Sequence, residues 1–480
     1  MMYRSVLVIC LATVVCAAGA APAPPEGPRQ IRLAPQASAK QVGAFRYRLL
    51  PDPRDRTPGN AATLWRLAGD AARDVARPIT VKENAWLGAG GTPLQRLPRK
   101  EVADFLAPYA GVFRLARQAA CREYCNWEMP PLTLQSIRES FSNSPIQNYR
   151  HMINVLSIRY RLQLAEGRYS EASETLQIGF ALAHHLGEND TTVILNLVGM
   201  AYATILLQQV EEWVQTPGSP NLYWALTALP RPLVNLRRPI EHELNTFHRS
   251  FPRLRRLRHE TFTQTEAEDL VKEVFGILSK MADDTANPTL RKEGERFRKL
   301  GEAIRAGESY SQARKHLLDL GRPAKEIDAM PKAQAILLWY VDQYDRVRDD
   351  VLKAFTVPMW QAIPLMDAAF QEHHAADNAI LTLLMPTLNK TWLASVRLER
   401  QIAGLRSAEA MRLYAAAHEG KPPEKWSDIT AVPLPIDPLT GKGFDTFYQV
   451  TGGRGILEIP PPPPPGMPAS LGRRYELTPR

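Results

Sequence analysis

Leu164-Ala-Glu-Gly-Arg-Tyr-Ser-Glu-Ala172 joins two apolar-periodic runs, and its reading decides the fold. Upstream, Ile153, Leu156, Tyr160 and Leu164 recur at three- and four-residue spacing. Downstream, Ala172, Leu176, Phe180 and Ala183 do the same. That period lines up one face of an α-helix. Gly167 can leave the first helix without Cβ strain, and Ser170 offers a hydroxyl to cap the second. The stretch therefore predicts a tight helical hairpin, with small residues where the helices cross. Ile194, Leu197, Ala201 and Ile205 repeat the period and predict a third helix and its apolar face.

Further helices follow on both sides. Asn60 is placed to cap a helix from Ala61 to Ala76, and Pro98 to Tyr124 is helical with a break near Pro108. Phe45 to Leu50 alternates apolar and basic residues, a short strand signal. Leu233 to Arg348 is helical and highly charged, broken near Pro252, Pro288, Gly307, Pro323 and Pro331. Asp349 to Leu384 and Trp392 to His418 are two more helical blocks. The second carries Val396, Ile402, Leu405, Ala408 and Met411 as one apolar stripe. After His418, Pro422, Pro423, Pro433, Pro435 and Pro438 forbid continued helix. Phe444 to Val450 and Ile456 to Ile459 read as a β-hairpin turned by Gly452-Gly-Arg-Gly455, and Arg474 to Leu477 as a last strand. Pro460 to Pro465 is a polyproline II run. The expected fold is mainly α: a multi-helix body with a tetratricopeptide-like hairpin, plus a small C-terminal α+β module in which a helix precedes a β-hairpin. One good hairpin falls short of the roughly three repeats an array needs.

The N-terminus reads as an export signal. Arg4 supplies a positive start, Val6 to Val15 is almost wholly apolar, and Ala18-Gly19-Ala20 is an A-x-A cleavage site. Neither Cys10, after Ile9, nor Cys16, after Val15, fits a lipoprotein signal. The expected organisation is a signal peptide over 1–20, a Pro/Ala-rich linker over 21–44, a helical domain over 45–390 and the C-terminal module over 391–480. The compartment is then the periplasm, the envelope or the exterior, with membrane attachment only if the signal stays uncleaved. A net charge of +9 over 480 residues is mild. It suits anionic surfaces and does not argue for nucleic acid.

Past the signal only Cys121 and Cys125 remain. In an oxidising compartment they read as a disulfide staple, with unpaired buried thiols or a redox or metal pair as the alternatives. The spacing C-x-x-x-C is neither the redox C-x-x-C nor the haem-attaching C-x-x-C-H.

Candidate chemistry is sparse. His242-Glu-Leu-Asn-Thr-Phe-His248 fails the zinc motif H-E-x-x-H, because Thr246 stands at the second ligand position. His373, His374 and Asp377 share a helix face and are weak metal candidates without a third ligand from elsewhere. His184-His185 ends a helix, where a cation suits the dipole. The densest basic stretch is His248-Arg-Ser-Phe-Pro-Arg-Leu-Arg-Arg-Leu-Arg-His259. Arg249, Arg253, Arg255, Arg256 and Arg258 are anion-binding candidates, while Phe251, Leu254 and Leu257 make the segment an amphipathic helix with a solvated basic face. No phosphate-binding glycine loop and no G-x-S-x-G elbow is present, and no cofactor is implied.

Two resemblances follow from these residues. Cys125-Asn-Trp, the Leu164–Ala172 hairpin, Ala183-His-His-Leu186, Pro230-Arg-Pro-Leu-Val-Asn-Leu236, Gly59-Asn-Ala-Ala62 and Ala410-Met-Arg-Leu-Tyr414 together resemble secreted proteins of planctomycete bacteria without assigned activity. Leu413-Tyr-Ala-Ala-Ala-His-Glu-Gly420, Pro422-Pro423 and Leu434-Pro-Ile-Asp-Pro-Leu-Thr-Gly441, within about 394–459, are similar to the C-terminal half of type II secretion pseudopilins. The likeness implies a long helix meeting a small sheet through a turn in which Asp437 accepts backbone N–H groups and Gly441 takes a positive φ. The functional expectation is a non-catalytic envelope scaffold that binds a protein or an anionic envelope polymer. The alternative is an exported hydrolase acting on envelope or extracellular polymer.

Overall fold

The computed structural model describes residues 27–34, 43–75, 79–88, 90–129, 146–188, 192–283, 288–375, 386–462 and 468–479. Residues 1–20, expected to be a signal peptide, lie outside the described residues. The chain is mainly helical, and its described strands form a four-stranded sheet built around the C-terminal strands and a separate two-stranded one. It divides into two compact units. One, here the discontinuous unit, comprises Pro22–Met129, Ser144–Leu236 and Leu393–Arg480; the contiguous unit is built chiefly on Arg237–Trp392.

The discontinuous unit opens with β1 (Arg29–Leu33), inside the stretch expected to be a tether. Arg-Gln-Ile-Arg-Leu alternates, and Ile31 and Leu33 are buried while Gln30 and Arg32 are exposed. Phe45 to Leu50, expected as a strand, is instead an irregular run of turns and bends. Next come β2 (Thr57–Asn60) and α1 (Ala61–Val75), whose Ala62 amide donates to Asn60 Oδ1 at 3.1 Å, the predicted cap. The break near Pro108 separates α2 (Arg99–Leu106) from α3 (Ala110–Ala120) through a single 3-10 turn. β3 (Arg122–Tyr124) then pairs in parallel with β2.

β3 overturns the expected disulfide. Cys121 closes α3 and Cys125 follows the strand, and both are unpaired. An extended chain rises about 3.3 Å per residue, so four residues carry the sulfurs beyond bridging range. The expected frayed helix would have kept them closer. Cys125 is buried, which pushes its thiol far above the usual range.

The predicted hairpin is α4 (Ile146–Ala165) and α5 (Tyr169–Gly187), followed by α6 (Val193–Gln215). Gly167 takes φ +71° at the turn. The N-cap of α5 is Arg168 rather than Ser170, and Arg168 pairs with Glu166 and Glu171. Tyr160, Leu164, Leu176 and Phe180 are each at most 2% exposed, worth about 1.5–3 kcal/mol apiece in transfer terms. Helix crossings rest on glycine: a Cβ on Gly179 would lie 2.6 Å from Leu206, and one on Gly199 would lie 2.6 Å from the Ala183 carbonyl oxygen. The face predicted for α6 is not its most buried one. Leu197, Ala201 and Ile205 are half-buried, whereas Val198, Tyr202 and Leu206 are buried. A helix apolar on nearly every side gives periodicity no face to select. α6 is long and apolar enough to span a membrane by composition alone, and most of it is buried as a core helix of this unit.

The contiguous unit contains α7 (Arg237–Leu244), α8 (Thr246–Ser250), a 3-10 segment (Pro252–Arg258), α9 (Gln264–Asp283), α10 (Pro288–Ala306), α11 (Tyr310–Asp319), α12 (Lys332–Ala354) and α13 (Met359–Ala375). α9 and α10 pair as a hairpin over Leu270, Val274, Phe275 and Phe297, with Gly301 admitting the Phe275 side chain. α12 carries the core stripe Ile336, Leu337, Val341, Tyr344, Val347 and Val351.

α14 (Pro386–Ala417), from Leu393 onward, returns to the discontinuous unit. Its predicted stripe is buried throughout, and Gly404 lets Ile459 and Tyr475 of the sheet close on it. That sheet runs β1-β6-β5-β4, with β4 (Tyr448–Thr451), β5 (Arg454–Ile459) and β6 (Arg473–Leu477). β4/β5 is the expected hairpin, and β6 pairs antiparallel with β5. The addition is β1, parallel to β6 with Ile31 opposite Tyr475. Buried ion pairs fasten the layers: Arg400 grips Asp437 at 2.9–3.2 Å, and Glu211 receives Arg473 at 2.8 Å and Arg29 at 3.2 Å. Asp437 also accepts the Leu439 amide at 2.9 Å, and Gly441 has φ +68°, as the turn chemistry predicted.

Candidate functional site

The basic stretch His248–His259 builds the most charged cleft described in the contiguous unit. Pro252 follows α8, and the chain continues as a 3-10 segment, not as the expected amphipathic α-helix. A 3-10 helix has three residues per turn, so positions three apart eclipse. Phe251, Leu254 and Leu257 therefore stack on one line and are at most 2% exposed, while the arginines fan out on the remaining sides.

The five candidate arginines part company there. Arg256 pairs with Glu260 at 2.6 Å and lies over the Phe262 ring, and Arg253 reaches the Glu266 carbonyl at 3.2 Å and Glu273 at 3.6 Å. Arg249, Arg255 and Arg258 instead line a cleft of about 670 Å³, together with His248, His259 and, from α12, Val341, Asp345 and Arg348. Asp345 organises its wall. It accepts His248 Nε2 at 2.6 Å, Arg258 Nη2 at 2.8 Å and Arg348 Nη1 at 3.0 Å. Burial pushes this carboxyl up, but the His248 hydrogen bond and the two guanidinium groups outweigh it and hold Asp345 below its ordinary range. Asp342, which Arg258 also reaches at 2.6 Å, stands above the ordinary range because burial dominates.

Arg249 and Arg255 are differently placed. Arg249 Nη2 donates to the His242 carbonyl at 2.5 Å and to Thr246 Oγ1 at 2.8 Å, while its buried Nε has no acceptor. Burial lowers its pKa. Arg255 is exposed. Neither has a carboxylate partner among the described residues. The cleft thus holds two guanidinium groups committed to Asp345 and, beside them, Arg249 and Arg255, which meet no carboxylate among the described residues although Arg249 Nη2 is engaged by His242 and Thr246. Such an arrangement can receive a carboxylate or phosphate through charge-assisted hydrogen bonds.

Sequence reading missed His248 as a hydrogen-bond partner of Asp345, and it missed Arg348. Ninety-seven residues separate His248 from Asp345, and only packing brings α12 beside the basic segment. His242 and His248 form no shared metal site, and no group of three His, Cys, Asp or Glu suited to a metal exists among the described residues. His373 and His374 fall at the end of α13, but their side chains and all of Asp377 lie outside the described residues. His184 bonds Glu188 at 3.1 Å, and His185 Nδ1 accepts the Trp65 indole N–H at 2.9 Å. Burial lowers the His185 pKa to about 4, so this imidazole is a neutral structural acceptor. Comparison with known protein families, with curated proteins and with solved structures finds no match for this chain.

Proposed function

We propose that the chain is an exported helical scaffold of the cell envelope that docks an anionic group, from an envelope polymer or a partner protein, in the arginine cleft of its contiguous unit. One observation carries the reading: Arg249 and Arg255 face the cleft without a carboxylate partner among the described residues, beside a wall already ordered by Asp345. Ordering that wall in advance lowers the conformational cost of binding. The N-terminal stretch over 1–20, read as an export signal, supports a compartment where anionic polymers are abundant.

The test is binding of a carboxylated polymer, polygalacturonate, and of inorganic polyphosphate to the purified protein. Arg255→Gln should weaken binding about tenfold, the order expected for one lost charge-assisted contact. Arg256→Gln, already neutralised by Glu260, should leave it unchanged. Binding should fall as salt rises, because exposed charges are screened. Equal loss in both variants would reduce the cleft to general surface charge.

The hydrolase reading draws on one feature, the His248–Asp345 hydrogen bond, since a carboxylate orients an imidazole for general-base work. The scaffold reading is favoured because two arginines hold the same carboxylate. The described lining also offers no Ser, Thr or Cys. His248→Gln should therefore change stability and leave any polymer hydrolysis untouched.

A further inference from the structure

The discontinuous unit carries a second cleft of different chemistry. It encloses about 490 Å³ between the loop from Phe45 to Asp55, the end of α3 and the first turns of α5. That volume falls in the range of small-ligand sites, roughly 300–1,000 Å³. The loop is pinned: Ser173 Oγ donates to the Arg48 carbonyl at 2.9 Å, and Asp52 holds Arg48 at 3.1 Å and Arg54 at 2.9 Å. Those contacts engage Asp52, Arg48 and Arg54, leaving, of their buried polar atoms, only Arg48 Nε without a hydrogen-bond partner. What remains is of both signs. Arg46 and Asp55 form no ion pair among the described residues, although the Asp55 charge acts on Arg54, and Arg117 meets Glu174 only at 3.7 Å, with both side chains about half exposed or more. An ion pair that loose and wet is worth little and yields readily to a ligand. Phe45 is 48% exposed, with the Arg48 guanidinium 4.7 Å from its ring centre, so an aromatic face is held in place beside the charges.

We infer that this cleft binds a short peptide with both termini free. Its carboxylate would meet Arg46 or Arg117, its ammonium Asp55 or Glu174, and an apolar side chain the Phe45 ring. A purely anionic ligand suits it less, because Asp55 and Glu174 would repel it. In this respect it differs from the arginine cleft, and the two proposals stand or fall separately.

Cys121 lines the same cleft and serves as the reporter, whereas buried Cys125 is an internal control. The probe is the tripeptide Ala-Phe-Ala, used free, N-acetylated and C-amidated. Alkylation of Cys121 by N-ethylmaleimide is followed by peptide-mapping mass spectrometry on the folded full chain. The free tripeptide should slow Cys121 modification saturably, by about fivefold or more, and each capped form should need about ten times the concentration. Phe45→Ala, a surface change, should weaken protection by all three peptides alike, whereas Glu174→Gln should narrow the gap between the free and N-acetylated forms and leave the gap to the C-amidated form. Equal protection by all three peptides, or none at about 10 mM, overturns the proposal.

Discussion

Glu399 on α14 is half-buried and has no ion-paired cation among the described residues, and its Oε1 accepts the Leu233 amide at 2.8 Å. Burial lifts its carboxyl from 4.5 to about 7, with the Leu233 hydrogen bond and the Arg231 charge opposing. A raised folded-state pKa means that the folded protein holds the proton more tightly than the unfolded chain does. Its contribution to stability is therefore complete below about pH 4.5 and is lost as pH rises through about 7. The loss is on the order of 3 kcal/mol. Glu399→Gln keeps the acceptor and removes the titration. Urea unfolding at pH 5 and pH 8 should show the variant gaining on the parent at the higher pH. An identical gap at both would mean that Glu399 is solvated. Asp437, unlike Glu399, has a buried cation beside it in Arg400. Asn at that position would leave Arg400 buried without its counter-charge, at a cost of about 3–5 kcal/mol read from the same unfolding curves.

The helix crossings of the discontinuous unit are set by the absence of side chains. At Gly199 the neighbour is a backbone carbonyl oxygen of α5, which cannot rotate away. Gly199→Ala should cost about 1–3 kcal/mol through overpacking. Gly276 on α9 faces open space, so Gly276→Ala should add up to about 1 kcal/mol through helix propensity alone. Thermal melts of the two variants should move in opposite directions; parallel shifts would contradict the crossing geometry. The 3-10 segment teaches a related lesson. The three-residue spacing of Phe251, Leu254 and Leu257 is visible in the sequence, but behind Pro252 that strict period belongs to a 3-10 helix and not to an amphipathic α-helical face.

On the scale of the whole molecule, β1 is the closing piece of a sheet otherwise made from the C-terminal strands. It buries Ile31 and Leu33 and brings Arg29 to the buried Glu211. A chain starting at residue 43 should lose on the order of 3 kcal/mol or more, since it exposes apolar surface and removes one of the cations around Glu211. It should also self-associate, because the edge of β6 becomes open to pairing. Size-exclusion chromatography and urea midpoints test both; a monomer of unchanged midpoint would show that β1 is dispensable.

Local sequence determined the helices with clear period and punctuation: the Gly167 hairpin, the Asn60 cap, the Pro108 break, the α14 stripe and the C-terminal β-hairpin. Each depends on interactions a few residues apart, so residue type and spacing suffice. Tertiary structure alone decided that Arg-Gln-Ile-Arg-Leu in a proline-rich stretch is a strand, because its partner lies more than four hundred residues away. It alone separated Cys121 from Cys125, by drawing Arg122–Tyr124 into an extended ladder beside β2. It also sorted the five arginines, sending three to a cleft and two to nearby carboxylates. Charge runs announce that cations are present, but only packing determines which of them meet Asp345, which find a local partner, and which stay uncommitted.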